Sequence, residues 1–134
     1  MENDRGKVIR LPYAKYGIRP ERRAVRWVST SYEDLVRFPK DAQAKLGEAL
    51  AVAQEGGLHI SARPMHGNLR EVIEIVARCA DGTYRLMYAT QISEVIHVLH
   101  TFKKKAHYGA ETPRKELRLV EARHKQAKEE ARRS

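Results

Sequence analysis

Cysteine is nearly absent from this chain: Cys79 is the single one among 134 residues. An intramolecular disulfide is therefore excluded, and so is a metal cluster built on cysteine thiolates; a reducing compartment fits. Long apolar runs are missing too, since no stretch approaches the roughly 20 residues needed to cross a bilayer. The opening residues, MENDRGKVIRLPY, hold no apolar segment of the kind a secretory signal requires. The expectation is a cytoplasmic protein with no membrane partner. Several enzyme signatures are also lacking: there is no G-x-S-x-G, no phosphate-cradling P-loop and no catalytic-cysteine context. No close pair of carboxylates suits glycoside chemistry, and no internal repeat is visible.

Positive charge is what the chain has in excess. Its formal net charge is +9 and its pI is about 9.9. The excess sits at the ends. Residues 1–30 carry 8 Lys/Arg against 3 Asp/Glu, residues 31–102 carry 7 against 9, and residues 103–134 carry 11 against 5. Basic ends around a near-neutral middle describe an electrostatic footprint added to one modest core, with nucleic acid or an acidic surface as the partner. Residues 1–23, polar and basic with Pro12, Gly17 and Pro20, read as a flexible arm, and residues 24–134 as a single domain.

Apolar spacing places the elements. Residues 24–29 read as a strand. Ser31 with Asp34 looks like a capping box opening a helix, and Pro39 restarts it. Ala42, Leu46, Ala49, Leu50 and Ala53 form one helical stripe that Gly56 and Gly57 end. LHISARPMHGN reads as a loop. Residues 70–79, 83–90 and 94–102 are strand candidates, the first two joined at Asp81-Gly82. Thr112-Pro113 reads as the cap and first turn of a last helix, with Leu117, Val120, His124 and Ala127 along one face. The fold class is α+β: a strand and two helices, an antiparallel three-stranded meander completing a small sheet, then a C-terminal helix.

Two places carry chemistry. Arg85 lies in the middle of an apolar strand, on the face of Met87 and opposite the face of Tyr84, Leu86 and Tyr88. Two readings stand side by side: an ion pair with Glu71 or Glu74, or a ligand for phosphate. The run LHTFKKKAHYG then delivers Lys103, Lys104 and Lys105 beside it, followed by His107 and Tyr108. The lysines are either a solvated face or, with Arg85, a cationic pocket for a phosphate backbone. His97 and His100, three apart on a regular strand, face opposite ways and cannot share one metal ion. His59, His66 and His107 lack a second ligand at metal spacing, so neither a metal site nor any other cofactor is expected.

Together, VRWVSTSYEDLVRFP, an alanine-rich helix, ARPMHGNLREVIEI, DGTYRLMYAT, EVIHVLHTFKKK and TPRKELRLVEAR resemble the HigB-like, phage-derived branch of the RelE/ParE toxin superfamily. The resemblance runs from about Val25 to about Arg123. It implies a RelE-like fold and the toxin of a type II toxin–antitoxin pair, acting as a metal-independent, ribosome-dependent mRNA endonuclease. The implied partners are a cognate antitoxin of helix-turn-helix type, mRNA and the ribosome, with operator DNA met only through the antitoxin complex. The family's arginine of the Y-R-x-x-Y segment falls on Arg85, and its basic residues after the last strand fall on Lys103 and Lys104. Where RelE has lysines on the preceding strand, this chain has Val72, Ile73, Glu74 and Ile75. Candidate catalytic residues are Arg85, Lys104, His107, Tyr108 and His100; candidate RNA contacts are Lys103, Lys105 and Arg70. An antitoxin is expected on the sheet face or on the last helix at Leu117 and Val120. ParE relatives share the fold and poison DNA gyrase, so a non-enzymatic inhibitor, or an inactive phage-derived binding protein, remains open.

Overall fold

Strand residues point alternately to the two faces of a sheet, and in this chain both faces of the central strands are apolar, so both need a cover. The computed structural model describes residues 22–104 and 112–133. Its elements are β1 (Val25–Trp27), α1 (Ser31–Leu35), α2 (Lys40–Gln54), β2 (Ala62–Pro64), β3 (Val72–Cys79), β4 (Gly82–Ile92), β5 (Val95–Lys104) and α3 (Arg114–Arg133), with a 3₁₀ turn at Gly67–Leu69. The sheet order is β1-β5-β4-β3-β2; β1 runs parallel to β5 and every other pair is antiparallel. This is an α+β domain with five strands and three helices among the described residues. No helix among them is long and apolar enough to cross a membrane.

Helices α1 and α2 cover one face. The expected stripe of α2 is buried in full, Ala42, Leu46, Ala49, Leu50 and Ala53 packing with Ile75, Leu86, Tyr88, Ile96 and Val98. Each fully buried leucine there contributes roughly 1.5–3 kcal/mol. Helix α3 covers part of the other face, where Val120 and Ala127 meet Leu69, Val72, Met87, Ala89, Leu99 and Phe102. Val120 is fully buried and Leu117 packs against the same cluster. Val120 is therefore not free to receive a partner, contrary to the sequence expectation, whereas Leu117 is only partly buried.

Several local readings change. ARP, within the expected loop, is strand β2: it borders β3 in the register Ala62↔Ile75, and three residues are too few to show a period. Ser31 is not a cap. It is the first residue of α1, its buried hydroxyl donates to the Val98 carbonyl at 3.1 Å, and its own carbonyl accepts from Thr101 Oγ1 at 2.8 Å. Thr112 does not cap α3 either, and the helix begins at Arg114, with the Pro113 carbonyl accepting from the Leu117 amide. Strand β5 continues past Phe102 to Lys104. The β3–β4 hairpin closes with Cys79 opposite Gly82. Gly82 has φ +140°, and a Cβ there would stand 3.2 Å from the Lys104 carbonyl oxygen, so glycine is needed twice over.

One irregularity in β5 reorients its histidines. Met87 is opposite His100 but Tyr88 is opposite Val98, so β5 carries one extra residue, Leu99. Such a bulge reverses the alternation beyond it. His97, opposite Ala89, and His100, opposite Met87, consequently lie on the same face, not on opposite faces as a regular strand requires. The Leu99 carbonyl accepts from Arg123 Nη1 of α3 at 2.9 Å, which ties the bulge to the helix above it.

Candidate nucleic-acid site

Register places Arg85, Met87, His100, Phe102, Lys104 and Glu74 on the α3 side of the sheet. Arg85 is 4% exposed, Glu74 6%, Lys104 2% and His100 5%, so four polar or ionic side chains are drawn out of water on one face. Burying charge is expensive unless it is paired. The Arg85 pairing is direct: its Nη1 lies 2.8 Å from Glu74 Oε2. Thr112 joins them, its hydroxyl donating to the same Glu74 oxygen at 3.0 Å and standing 3.4 Å from Arg85 Nη1. Of the two sequence readings of Arg85, the ion pair is thus present, and Glu74 rather than Glu71 supplies it. Glu71 turns instead toward His124, at 3.8 Å.

Lys104 and Lys103 part company. Lys104 is opposite Thr83 and shares the Arg85 face, one diagonal step away. Lys103 is opposite Tyr84 and projects to the other side, where its ammonium lies 3.2 Å from Asp81 and 5.7 Å from the centre of the Tyr84 ring. The lysines do not converge on Arg85 as a group, because the strand runs on through them and imposes its alternation. Tyr84 donates to Asp81 at 2.7 Å; that bond, with burial, pushes the phenol up to about 12, and the same bond, joined by Lys103, pulls the Asp81 carboxyl below its ordinary value against the opposing effect of burial. Arg70 is exposed beyond the 3₁₀ turn and its Nη1 stands 3.4 Å from the Gly67 carbonyl, apart from the Arg85 group. Lys105, His107 and Tyr108 lie outside the described residues.

His100 is held at both ring nitrogens. Nε2 is 2.7 Å from Glu116 Oε1, and Nδ1 is 3.3 Å from Arg123 Nη1. A guanidinium only donates, so Nδ1 accepts, and the ring is the neutral tautomer whose Nε2–H donates to Glu116. The tendencies oppose one another: burial and Arg123 favour the neutral ring, Glu116 the charged one. Burial is the largest influence, and the pKa is lowered. His97, under the same helix, and His124, on its buried face, are lowered by burial as well. The sequence reading passes over Glu116 and Arg123. Their seven-residue spacing, which flanks the Val120 stripe on one side of α3, is the signal that could have found them. Thr112 reads as a cap because its neighbour Pro113 fits a helix start; its real partners are 27 and 38 residues away.

Among the described residues, no group of three or more His, Cys, Asp or Glu side chains is arranged to hold a metal ion. What the face offers chemically is buried positive charge, Arg85 as a planar fork and Lys104 as a point charge, beside a helix whose exposed side is itself basic.

No curated protein matches this chain. Residues 33–125, which include every element from α2 to β5 and the first half of α3, match the family described as phage derived protein Gp49-like (DUF891). The chain belongs to that phage-derived family, a family of RelE-like toxins.

Proposed function

We propose that this protein is the toxin of a type II toxin–antitoxin pair and that it acts in the cytoplasm on RNA, as a ribosome-dependent mRNA endonuclease. The observation that carries the reading is the placement of Arg85 and Lys104 as buried cations on one sheet face at the end where α3 begins. Buried charge in mid-strand destabilises a fold, and such groups concentrate where a site needs them.

RNA brings its own nucleophile, the 2′-hydroxyl. Its oxygen attacks the adjacent phosphorus while the P–O5′ bond breaks. One proton leaves the 2′-oxygen and another reaches the departing 5′-oxygen. Arg85 and Lys104 would stabilise charge developing on the phosphate, where losing one well-placed donor costs about 10²–10³ in rate. Both nitrogens of His100 are engaged, so the roles in proton transfer fall to His107 and Tyr108. Lys103, Lys105 and Arg70 are left to contact RNA outside the reacting phosphate. A cognate antitoxin of helix-turn-helix type silences the protein and carries the complex to operator DNA.

The Arg85–Glu74 pair favours a second reading, because a guanidinium already bonded to a carboxylate is less available to a phosphate. That reading is a non-enzymatic inhibitor of the ParE kind, directed at DNA gyrase. Induced expression separates the two. Pulse labelling that shows protein synthesis failing before DNA synthesis, with cleaved transcripts mapped by primer extension, supports the endonuclease. DNA synthesis failing first, on intact messenger, selects the inhibitor.

A further inference from the structure

Along α3, Arg114, Arg118, Glu121, Lys125, Lys128 and Arg132 follow at steps of four and three residues. That spacing stacks them on one edge of the helix, five cations in a line, all exposed. Between this edge and the 3₁₀ turn lies a groove of about 660 Å³, to which Leu69 and Ala122 contribute apolar surface and Arg118, Lys125 and Lys128 contribute charge. The stripe's one carboxylate, Glu121, accepts from Asn68 Nδ2 across the groove at 3.2 Å. His124 lines the groove while only 5% exposed, and its Nε2 is buried with no hydrogen-bond partner among the described residues. Glu71, at 3.8 Å, is beyond hydrogen-bond reach. An unbonded nitrogen buried in the wall of a basic groove is a costly feature for the isolated fold, and a ligand acceptor would satisfy it.

We propose that this groove is a second RNA contact, binding a single-stranded segment away from the Arg85 end of the sheet. Lys125, Lys128 and Arg118 meet phosphate oxygens, the Leu69–Ala122 surface takes a base or ribose, and His124 Nε2–H donates to the strand. The volume suits a ligand of nucleotide size, and a line of cations suits a repeating phosphate better than scattered carboxylates. The inference rests on RNA being the substrate class, but not on cleavage.

The test is fluorescence anisotropy of the full chain with a short, labelled 2′-O-methyl RNA, which lacks the nucleophile and cannot be cut. Lys125→Glu/Lys128→Glu should weaken binding about tenfold or more and make the log–log salt dependence shallower by about 1.4, at roughly 0.7 per lost single-strand contact. Lys115→Glu/Arg133→Glu, the same charge change about 100° further round the helix, should stay within about twofold of the unaltered protein. In ¹⁵N spectra, the His124 ring signals should move when RNA is added. Equal losses in both double variants would reduce the effect to net charge and overturn the groove. So would an unmoved His124 ring, or displacement of the RNA by polyglutamate at comparable concentration, which would mark an acidic protein as the occupant. Groove binding that persists in a protein shown not to cut messenger sinks the endonuclease reading and leaves this one standing.

Discussion

Arg85 Nη1 and Glu74 Oε2 lie 2.8 Å apart on adjacent strands, with both side chains withdrawn from water. Removing one partner of such a pair strands the other. Glu74→Ala should therefore destabilise the protein by about 3–5 kcal/mol, whereas Glu74→Leu/Arg85→Met, which replaces both with apolar groups, should fall near the unaltered protein or above it. Urea denaturation reads both. The double variant also separates structure from activity: folded, it should no longer arrest growth. Full growth arrest by that folded variant would remove Arg85 from the site.

Lys103 and Lys104 are neighbours in sequence on opposite faces, one with a half-exposed side chain and one buried. Lys103→Ala loses a surface ion pair, worth about 0–1 kcal/mol of stability, and one RNA contact outside the reacting phosphate, and should leave growth arrest largely intact. Lys104→Ala should abolish it while circular dichroism shows the fold retained. The reverse result would place the working lysine on the Tyr84 side.

Three histidines buried between α3 and the sheet, His97 and His100 on β5 and His124 on α3, have pKa values lowered from their ordinary 6.5, burial being the largest cause in each. Above pH 6.5 they are mostly neutral in both the folded and the unfolded chain. As pH falls below 6.5 the unfolded chain takes up protons that the folded one resists, so stability is lost on acidification. The melting temperature should fall from about pH 7.5 to about pH 5, and His97→Gln should flatten that slope. A melting temperature that rises over this range would contradict the neutral assignments.

Ser93 and Glu94 join β4 to β5 with φ of 54° and 58°, both in the left-handed region that these residues adopt at a cost. Arg23 latches the turn, Nε donating to the Glu94 carbonyl at 3.1 Å and Nη2 to that of Thr90. Two positive φ values are the signature of a type I′ hairpin, which favours Asn-Gly. Ser93→Asn/Glu94→Gly should stabilise the protein by about 1 kcal/mol, and Arg23→Ala should destabilise it; thermal melts of the two variants decide.

Periodicity and punctuation were legible in the sequence wherever the information is local. The α2 stripe from Ala42 to Ala53, the hairpin at Asp81-Gly82, the three long strands and the apolar line of α3 through Val120 and Ala127 each follow from spacing within about twenty residues. So does the separation of Arg85 from the Tyr84–Leu86–Tyr88 face. Charge also counts without a fold, and the basic ends were plain. Tertiary structure decided the partners. Ser31 and Thr112 have the chemistry of helix caps, but a hydroxyl bonds whatever the fold brings near it, and here that is Val98 and Glu74. The extra residue at Leu99 is set by how β5 registers against β4 and by Arg123 taking up its carbonyl; it turns His97 and His100 to one face. Glu74, on an otherwise apolar strand, became the counter-ion of Arg85 through a pairing 11 residues apart. Hydrophobic spacing specifies which side of an element is buried, but the donor that meets an acceptor across the sheet depends on register and on elements distant in the chain.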